Sequence, residues 1–333
     1  MRENHDELME VRNLRKWFPV KSGFFKEQKY VKAVEDVSLT IRRGETLGIV
    51  GESGCGKSTL ARLLLRLLDS TEGEIFFDGQ DITRLSGEEL RKQRRRMQMV
   101  FQDPYASLNP RSRIVDTLSE PFLIHGICSG TEVRRHAAEL LEMVGLDTDS
   151  LRKYPHEFSG GQRQRICIAR ALAVRPDLLV CDECVSALDV SIQAQIINLL
   201  MDLQKELGLT IIFISHDLRV VQHISSHVAV MYLGGLAEYG TKEKLFENPV
   251  HPYTRALLTA VPIADPFLTR KSIRLKGEVP SPIDRPEGCS FCTRCEYAGE
   301  RCRSIAPSRV YLDPEHYVCC HEAHSLADNR EAG

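Results

Sequence analysis

The sequence predicts an α/β fold, a mostly parallel sheet with its helices, followed by a small irregular cysteine-rich C-terminal extension. Three observations carry this prediction. A short apolar run, Thr46 to Val50, is stopped by a glycine-rich turn and continues into a helix-patterned stretch from Ser58 to Leu68. Two further apolar runs, Leu178 to Cys181 and Thr210 to Ile214, each end in polar residues and flank a helical stretch from Ile192 to Leu207 that Gly208 closes. From about Val261 the texture changes: Pro262, Pro266, Pro280, Pro282 and Pro286 punctuate a stretch without long periodic segments, and six of the eleven cysteines crowd between Cys289 and Cys320.

Strand, turn and helix in that order place any ligand at the carboxyl ends of the strands. The boundary falls near residue 265, giving 1–265 as the core and 266–333 as the extension. At 333 residues the chain is about two domains' worth at roughly 150 residues each. Its 44 Lys and Arg nearly cancel 46 Asp and Glu, so the formal charge of -2 supplies no field to attract nucleic acid or an anionic membrane. No apolar stretch approaches the roughly 18 to 20 residues that cross a bilayer, and Met1 to Glu10 is charged rather than signal-peptide-like. A cytoplasmic chain is expected, at a membrane only where a partner holds it. The run Arg91 to Arg96 reads as the solvated face of a helix. Cys55, Cys128, Cys167, Cys181 and Cys184 read as small, partly buried side chains.

The densest chemistry lies in Gly51-Glu52-Ser53-Gly54-Cys55-Gly56-Lys57-Ser58-Thr59, a full match to G-x-x-x-x-G-K-[ST] between a strand and a helix. Glycines let consecutive backbone N–H groups point into one concavity, and the helix N-terminus favours anions. Lys57 is then expected on the β and γ phosphates of ATP and the Ser58 hydroxyl on Mg²⁺. Asp182 and Glu183 end the next apolar strand, Asp182 placed for the magnesium shell and Glu183 to polarise an attacking water. His216 follows the strand after that, within reach of a γ phosphate. These residues describe a nucleotide triphosphatase of the phosphate-loop class.

Phe158-Ser159-Gly160-Gly161-Gln162-Arg163-Gln164-Arg165 precedes a helix running through Ile166 to Ala173 and resembles the signature motif of the ATP-binding-cassette (ABC) family, with Phe158 where leucine is usual. Ser159 can cap that helix and its glycines admit close backbone approach. The resemblance covers roughly residues 8 to 260 and includes the Gln102 loop, Ser186-Ala187-Leu188-Asp189 and the His216 switch. It implies a RecA-like core with an antiparallel β subdomain and a helical subdomain over about 103–170. It also implies Gln102 as a magnesium ligand beside Ser58 and Asp182, Asp189 as a coupling-loop residue, and Ser159, Gly160, Gly161 and Gln162 facing ATP bound to an opposite subunit. The adenine-stacking aromatic aligns best at Phe18, with Tyr30 and Trp17 as alternatives across an insertion from Lys21 to Gln28.

Within that family, Gln102 to Pro110, Val185 to Gln195, His251-Pro252-Tyr253-Thr254 and Val261-Pro262 resemble the ATPases of oligopeptide, dipeptide and nickel importers. Val185 and Ser186 are closer to the second of the two ATPases such importers carry, which implies a heterodimer. Cys184 departs from the pattern, standing where these proteins have proline or alanine. The resemblance implies a peripheral subunit at the cytoplasmic face of the cell membrane, partnered by a second ATPase, two permeases and an extracytoplasmic solute-binding protein. A nickel or other small-solute importer, an exporter, and a soluble cassette acting in DNA repair or translation are the alternatives. The tail resembles the extension in which Cys289, Cys295, Cys302 and Cys320 correspond to ligands of a 4Fe–4S cluster; zinc and unligated thiols remain open, and Cys292 and Cys319 are extra. Because the phosphate loop lies in the core, changes in the tail are expected to spare ATP binding.

Overall fold

Tertiary structure was taken from a computed structural model, which describes residues 6–20, 28–260, 273 and 275–328. The boundary expected near residue 265 lies outside them. The strands are β1 (Glu7–Pro19), β2 (Tyr30–Arg42), β3 (Thr46–Val50), β4 (Glu72–Phe77), β5 (Gln80–Asp81), β6 (Met97–Val100), β7 (Leu178–Asp182), β8 (Thr210–Ile214), β9 (His227–Tyr232), β10 (Gly235–Thr241), β11 (Val310–Asp313) and β12 (His316–Val318). The helices are α1 (Lys57–Leu64), α2 (Gly87–Arg96), α3 (Pro104–Ser107), α4 (Ile114–Ile124), α5 (Thr131–Met143), α6 (Gly160–Leu172), α7 (Val190–Leu207), α8 (Leu218–Ile224), α9 (Lys242–Glu247), α10 (Pro252–Thr259), α11 (Glu300–Ser304) and α12 (Ala323–Asp328). None is long and apolar enough to cross a membrane.

Two compact units alternate along the sequence. The first holds the described residues through Leu8, Arg42–Glu45 and Arg84–Ile214. Its strands run in the order β8-β7-β6, parallel throughout, with Val100 opposite Cys181 and Asp182 opposite Ile214. Every residue of β7 and β8 is buried, which is why both read as unbroken apolar runs. Helices α3 to α6 occupy 104–172. Helix α7 buries Ile196, Ile197, Leu200 and Leu203 along one stripe and stops at Gly208, whose φ of 65° the absent side chain permits. The arginine-rich helix α2 buries none of its residues, in keeping with its charge.

The second unit holds Met9–Ile41, Thr46–Thr83 and the described residues from Ser215 onward. One sheet has the order β2-β1-β4-β5, with Val11 opposite Ile75 in the antiparallel β1–β4 pair. The other runs β11-β12-β10-β9-β3, with β3 parallel to β9 and antiparallel pairing beyond it. Helix α1 ends at Leu64, short of the expected Leu68. Arg66 adopts a left-handed φ of 54°, and its buried guanidinium donates to the carbonyl of Ile82 (2.8 Å) and pairs with Asp69 (2.5 Å), so a tertiary anchor overrides the leucine pattern.

The extension is more regular than its sequence suggests. β12 pairs with β10, β11 pairs with β12, and Val318, Cys320, Ala323 and Leu326 form a small apolar core with Val250. Strands of three or four residues are too short to show alternation, and pairing with β10 orders them. Glu238, fully buried on β10, accepts the N–H groups of Val250 (2.8 Å) and His251 (3.0 Å) and bonds to His316 Nε2 (2.9 Å), joining three segments through one carboxylate.

Candidate nucleotide site

In the second unit the loop between β3 and α1 has the backbone its glycines suggest. Gly51, Gly54 and Gly56 have φ of 153°, 77° and 105°, and a Cβ would stand 2.2 Å from the Met231 carbonyl oxygen at Gly51 and 2.2 Å from that of Ala33 at Gly56. No side chain caps α1 and no acidic residue sits in its first turn, so its positive end suits an anion. Lys57, 5% exposed, donates Nζ to the carbonyls of Gly51 (2.8 Å) and Glu52 (3.1 Å) and contacts Cys55 Sγ at 3.9 Å. Burial pushes the Cys55 thiol up, against the pull of Lys57. Ser53, Ser58 and Thr59 belong to the same segment.

His216 follows β8 in an exposed position, and Asp217 caps α8 by accepting the N–H of Arg219 at 2.9 Å. Of the aromatic candidates, Trp17 donates to Glu35 (2.8 Å), lies 6.4 Å from the Tyr30 ring, and carries Lys32 over its face. Phe18, next along β1, is half-buried with Lys16 Nζ 5.2 Å from its centroid.

In the first unit β7 delivers Asp182, 6% exposed, at the end of its ladder. Glu183 turns out of the strand at a left-handed φ of 48°, its N–H held by the Ile214 carbonyl at 3.0 Å. Gln102 donates Nε2 to Glu183 Oε2 at 3.0 Å and to Ser186 Oγ at 3.4 Å, so the Gln102 loop and the catalytic-glutamate candidate meet directly. Gln193 donates to the carbonyls of Val185 and Leu188, bracing the segment that ends at Asp189. Cys184 fits without disturbance: it is 2% exposed and hydrogen-bonded to Cys181, and that bond together with complete burial pushes the Cys181 thiol well up.

Ser159 caps α6 in a reciprocal box, Oγ accepting the Gln162 N–H at 3.3 Å while Gln162 Oε1 accepts the Ser159 N–H at 3.0 Å. A Cβ on Gly161 would stand 2.4 Å from Ile192 Cγ2, so packing against α7 requires that glycine. Gly160 is less confined, its nearest neighbour Leu188 Cδ2 lying at 3.3 Å.

The extension brings its thiols near one another without forming a metal centre. Burial pushes Cys289 up to about 12, with Cys320, Cys292 and Cys302 adding to it, and Cys320 up to about 11, with Cys295 and Cys302 adding. Burial pushes Cys319 up to about 11, with Arg309 opposing and Asp36 and Cys320 adding to it. Among the described residues no three His, Cys, Asp or Glu side chains converge closely enough to hold a metal ion. As the described side chains stand, no metal-binding group is found at the expected ligand set of Cys289, Cys295, Cys302 and Cys320.

Two further residues act on the phosphate loop, and their sequence positions carried no such signal. Tyr253, in a segment singled out only for its resemblance, accepts the Glu52 N–H on its phenol oxygen at 2.9 Å. Arg294, between Cys292 and Cys295, grips the Glu52 carboxylate with Nη1 at 2.7 Å and Nη2 at 3.1 Å.

Comparison with known proteins agrees with this geometry. Residues 34–186 match the family model described as ABC transporter, and residues 237–302 that of the oligopeptide/dipeptide transporter C-terminal region. The chain is 53% identical to the oligopeptide transport ATP-binding protein AppF of Bacillus subtilis, over 96% of this chain and 98% of the relative. It is 50% identical to the dipeptide transport ATP-binding protein DppF of Escherichia coli, over 90% of each. Among solved structures, a dimeric ATP-binding cassette in a post-hydrolysis state with ADP and phosphate is 32% identical at a TM-score of 0.63, covering 71% of this chain and 99% of that one. ATP and Mg²⁺ are what such a site takes. The chain belongs to the ABC transporter ATPases, in the group that carries the oligopeptide/dipeptide transporter C-terminal region.

Proposed function

We propose that this ATPase powers import of di- or oligopeptides across the cytoplasmic membrane as a peripheral subunit on its cytoplasmic face. The observation that carries this reading is the near end-to-end likeness to AppF and DppF, proteins named for oligopeptide and dipeptide transport. Two ATPase chains work as a pair, with a second ABC ATPase as the other member, on two permeases fed by an extracytoplasmic binding protein. The dimeric form of the solved cassette supports the pairing.

The residues divide the chemistry as follows. The amides of Gly51 to Thr59 and Lys57 hold the β and γ phosphates; Ser58, Gln102 and Asp182 bind Mg²⁺; Phe18 stacks on adenine. Glu183 orients the attacking water, its carboxylate steadied by Gln102, and His216 senses the γ phosphate. Ser159, Gly160, Gly161 and Gln162 offer a capped helix N-terminus to ATP on the partner chain, and Asp189 belongs to the coupling loop. Hydrolysis resets the pair after closure has been passed to the permeases.

The test is reconstitution with the partner ATPase and permeases in vesicles, measuring ATP-driven uptake of labelled di- and oligopeptides against nickel ion. Peptide uptake that vanishes with Lys57→Ala bears the reading out; uptake of nickel alone, or turnover indifferent to the permeases, refutes it.

For the extension we propose that Cys289, Cys295, Cys302 and Cys320 hold a 4Fe–4S cluster, supported by their spacing, which resembles the ligand pattern of the related extension. Protein prepared without oxygen is then brown and contains iron with acid-labile sulfide. A colourless preparation with stoichiometric zinc assigns the site to zinc instead, and one with neither metal leaves free thiols.

A further inference from the structure

The cysteine-rich segment reaches the phosphate loop through two side chains. Phe291 and Arg294 share one tight turn, in which the Cys292 N–H donates to the Cys289 carbonyl and the Arg294 N–H to that of Phe291, both at 3.0 Å. The turn is tied to α11 by the Cys289 N–H, which donates to the Cys302 carbonyl at 2.8 Å. Phe291, 2% exposed, packs edge-on against Tyr232 (5.2 Å between centroids) and against Tyr253 (5.5 Å). Tyr253 is the residue whose phenol oxygen receives the Glu52 N–H. Arg294 takes the Glu52 side chain with both terminal nitrogens while its guanidinium lies 5.8 Å from the Tyr232 centroid. Main chain and carboxylate of a single loop residue are thus both held by the C-terminal part of the unit.

Glu52 directly follows Gly51, so its carboxylate stands in a loop built to receive anions. Left unpaired, that charge would oppose an incoming triphosphate. The Arg294 side chain is 7% exposed against 27% for Glu52, a geometry in which a two-pronged, charge-assisted pair is strong and directional.

We propose that Arg294 is a positioning residue for nucleotide binding: by neutralising and orienting Glu52 it keeps the phosphate loop in its anion-receiving form, and so links the cysteine-rich turn to ATP affinity. The proposal rests on reading Gly51 to Thr59 as the phosphate loop, and Lys57→Ala, measured alongside, tests that reading separately.

The experiment is isothermal titration of the full-length chain with MgATP for Arg294→Gln, Glu52→Gln and the double variant, with thermal unfolding as a check on folding. Arg294→Gln weakens MgATP binding about tenfold, because the unpaired Glu52 carboxylate now faces the phosphates. Removing that carboxylate restores binding, leaving the double variant within about threefold of the unmodified chain. The Arg294→Gln defect also shrinks as salt rises, since a partly exposed charge is screened. Should Arg294→Gln not fold, Arg294→Lys carries the test: one ammonium cannot make both contacts, so binding weakens about threefold and Glu52→Gln in that background restores it. MgATP affinity within twofold of the unmodified chain in a folded Arg294 variant overturns the proposal, as does a double variant no better than Arg294→Gln. Lys57→Ala binding as tightly as the unmodified chain would instead overturn the phosphate-loop reading beneath it.

Discussion

Replacing Glu238 by glutamine removes one acceptor from the most enclosed carboxylate described in the chain. The native side chain is fully buried and takes three donors, with Val250 N–H and His316 Nε2 on Oε1 and His251 N–H on Oε2. Glutamine matches the shape but offers a single oxygen. With that oxygen toward Val250 and His316, its NH₂ group confronts the His251 N–H; flipped, it confronts the other two. At least one buried N–H is left without a partner, which costs about 1–3 kcal/mol, and the bond to His316 loses its charge assistance, adding about 1 kcal/mol more. A total of about 2–4 kcal/mol corresponds to a fall of roughly 4–16 °C in Tm, taking about 2–4 °C per kcal/mol for a unit of this size. Thermal unfolding followed by circular dichroism reads this directly. Glu10→Gln serves as the control: its pair with Arg12 is solvent-exposed, and such pairs are worth about 0–1 kcal/mol. A Glu238→Gln midpoint no lower than that of the control would refute the reasoning that this carboxylate holds β12 and the start of α10 to β10.

Glu183→Gln keeps an oxygen for Gln102 Nε2 and should leave MgATP binding intact while cutting steady-state hydrolysis by about 10²-fold or more; near-normal turnover with the partner subunit present sinks the assignment. Ser159→Arg breaks the reciprocal cap of α6 and sets a bulky cation at its N-terminus, so paired hydrolysis should fall to background while the chain's own MgATP binding persists; full activity in the variant contradicts a composite site. Gly161→Ala forces a methyl to within 2.4 Å of Ile192 Cγ2 and should destabilise the chain by about 1–3 kcal/mol in urea unfolding, whereas Gly160→Ala, with its nearest neighbour at 3.3 Å, should cost measurably less.

The phosphate loop was legible from a single chain because its constraints are local. Gly51, Gly54 and Gly56 are spaced for a backbone that only glycine adopts freely, and the structure has positive φ at each. Buried parallel strands such as Leu178–Asp182 and Thr210–Ile214 announce themselves as unbroken apolar runs, and Ser159 with Gln162 is readable as a cap because both partners lie within one helical turn. The end of α1 was not readable, since the leucines continue to Leu68 and only the distant carbonyl of Ile82 explains why Arg66 turns left-handed.

What tertiary structure alone decided is which distant residues share an environment. Glu238 and His316 stand 78 positions apart, and Glu52 and Arg294 stand 242 apart. Nothing in either local pattern names the other, because a charged residue in sequence is compatible with solvent until the fold buries it. The proline-rich change in texture after Val261 reads as a separate extension, and only the fold shows that Arg294 in its described part pairs with Glu52 of the phosphate loop. The cysteines carry the same lesson in reverse: their crowding in sequence announced a ligand set, but whether thiols point at one centre is a matter of side-chain geometry that spacing does not encode. Sequence determines the chemistry of a segment through local backbone and periodicity; the folded chain determines which segments that chemistry acts upon.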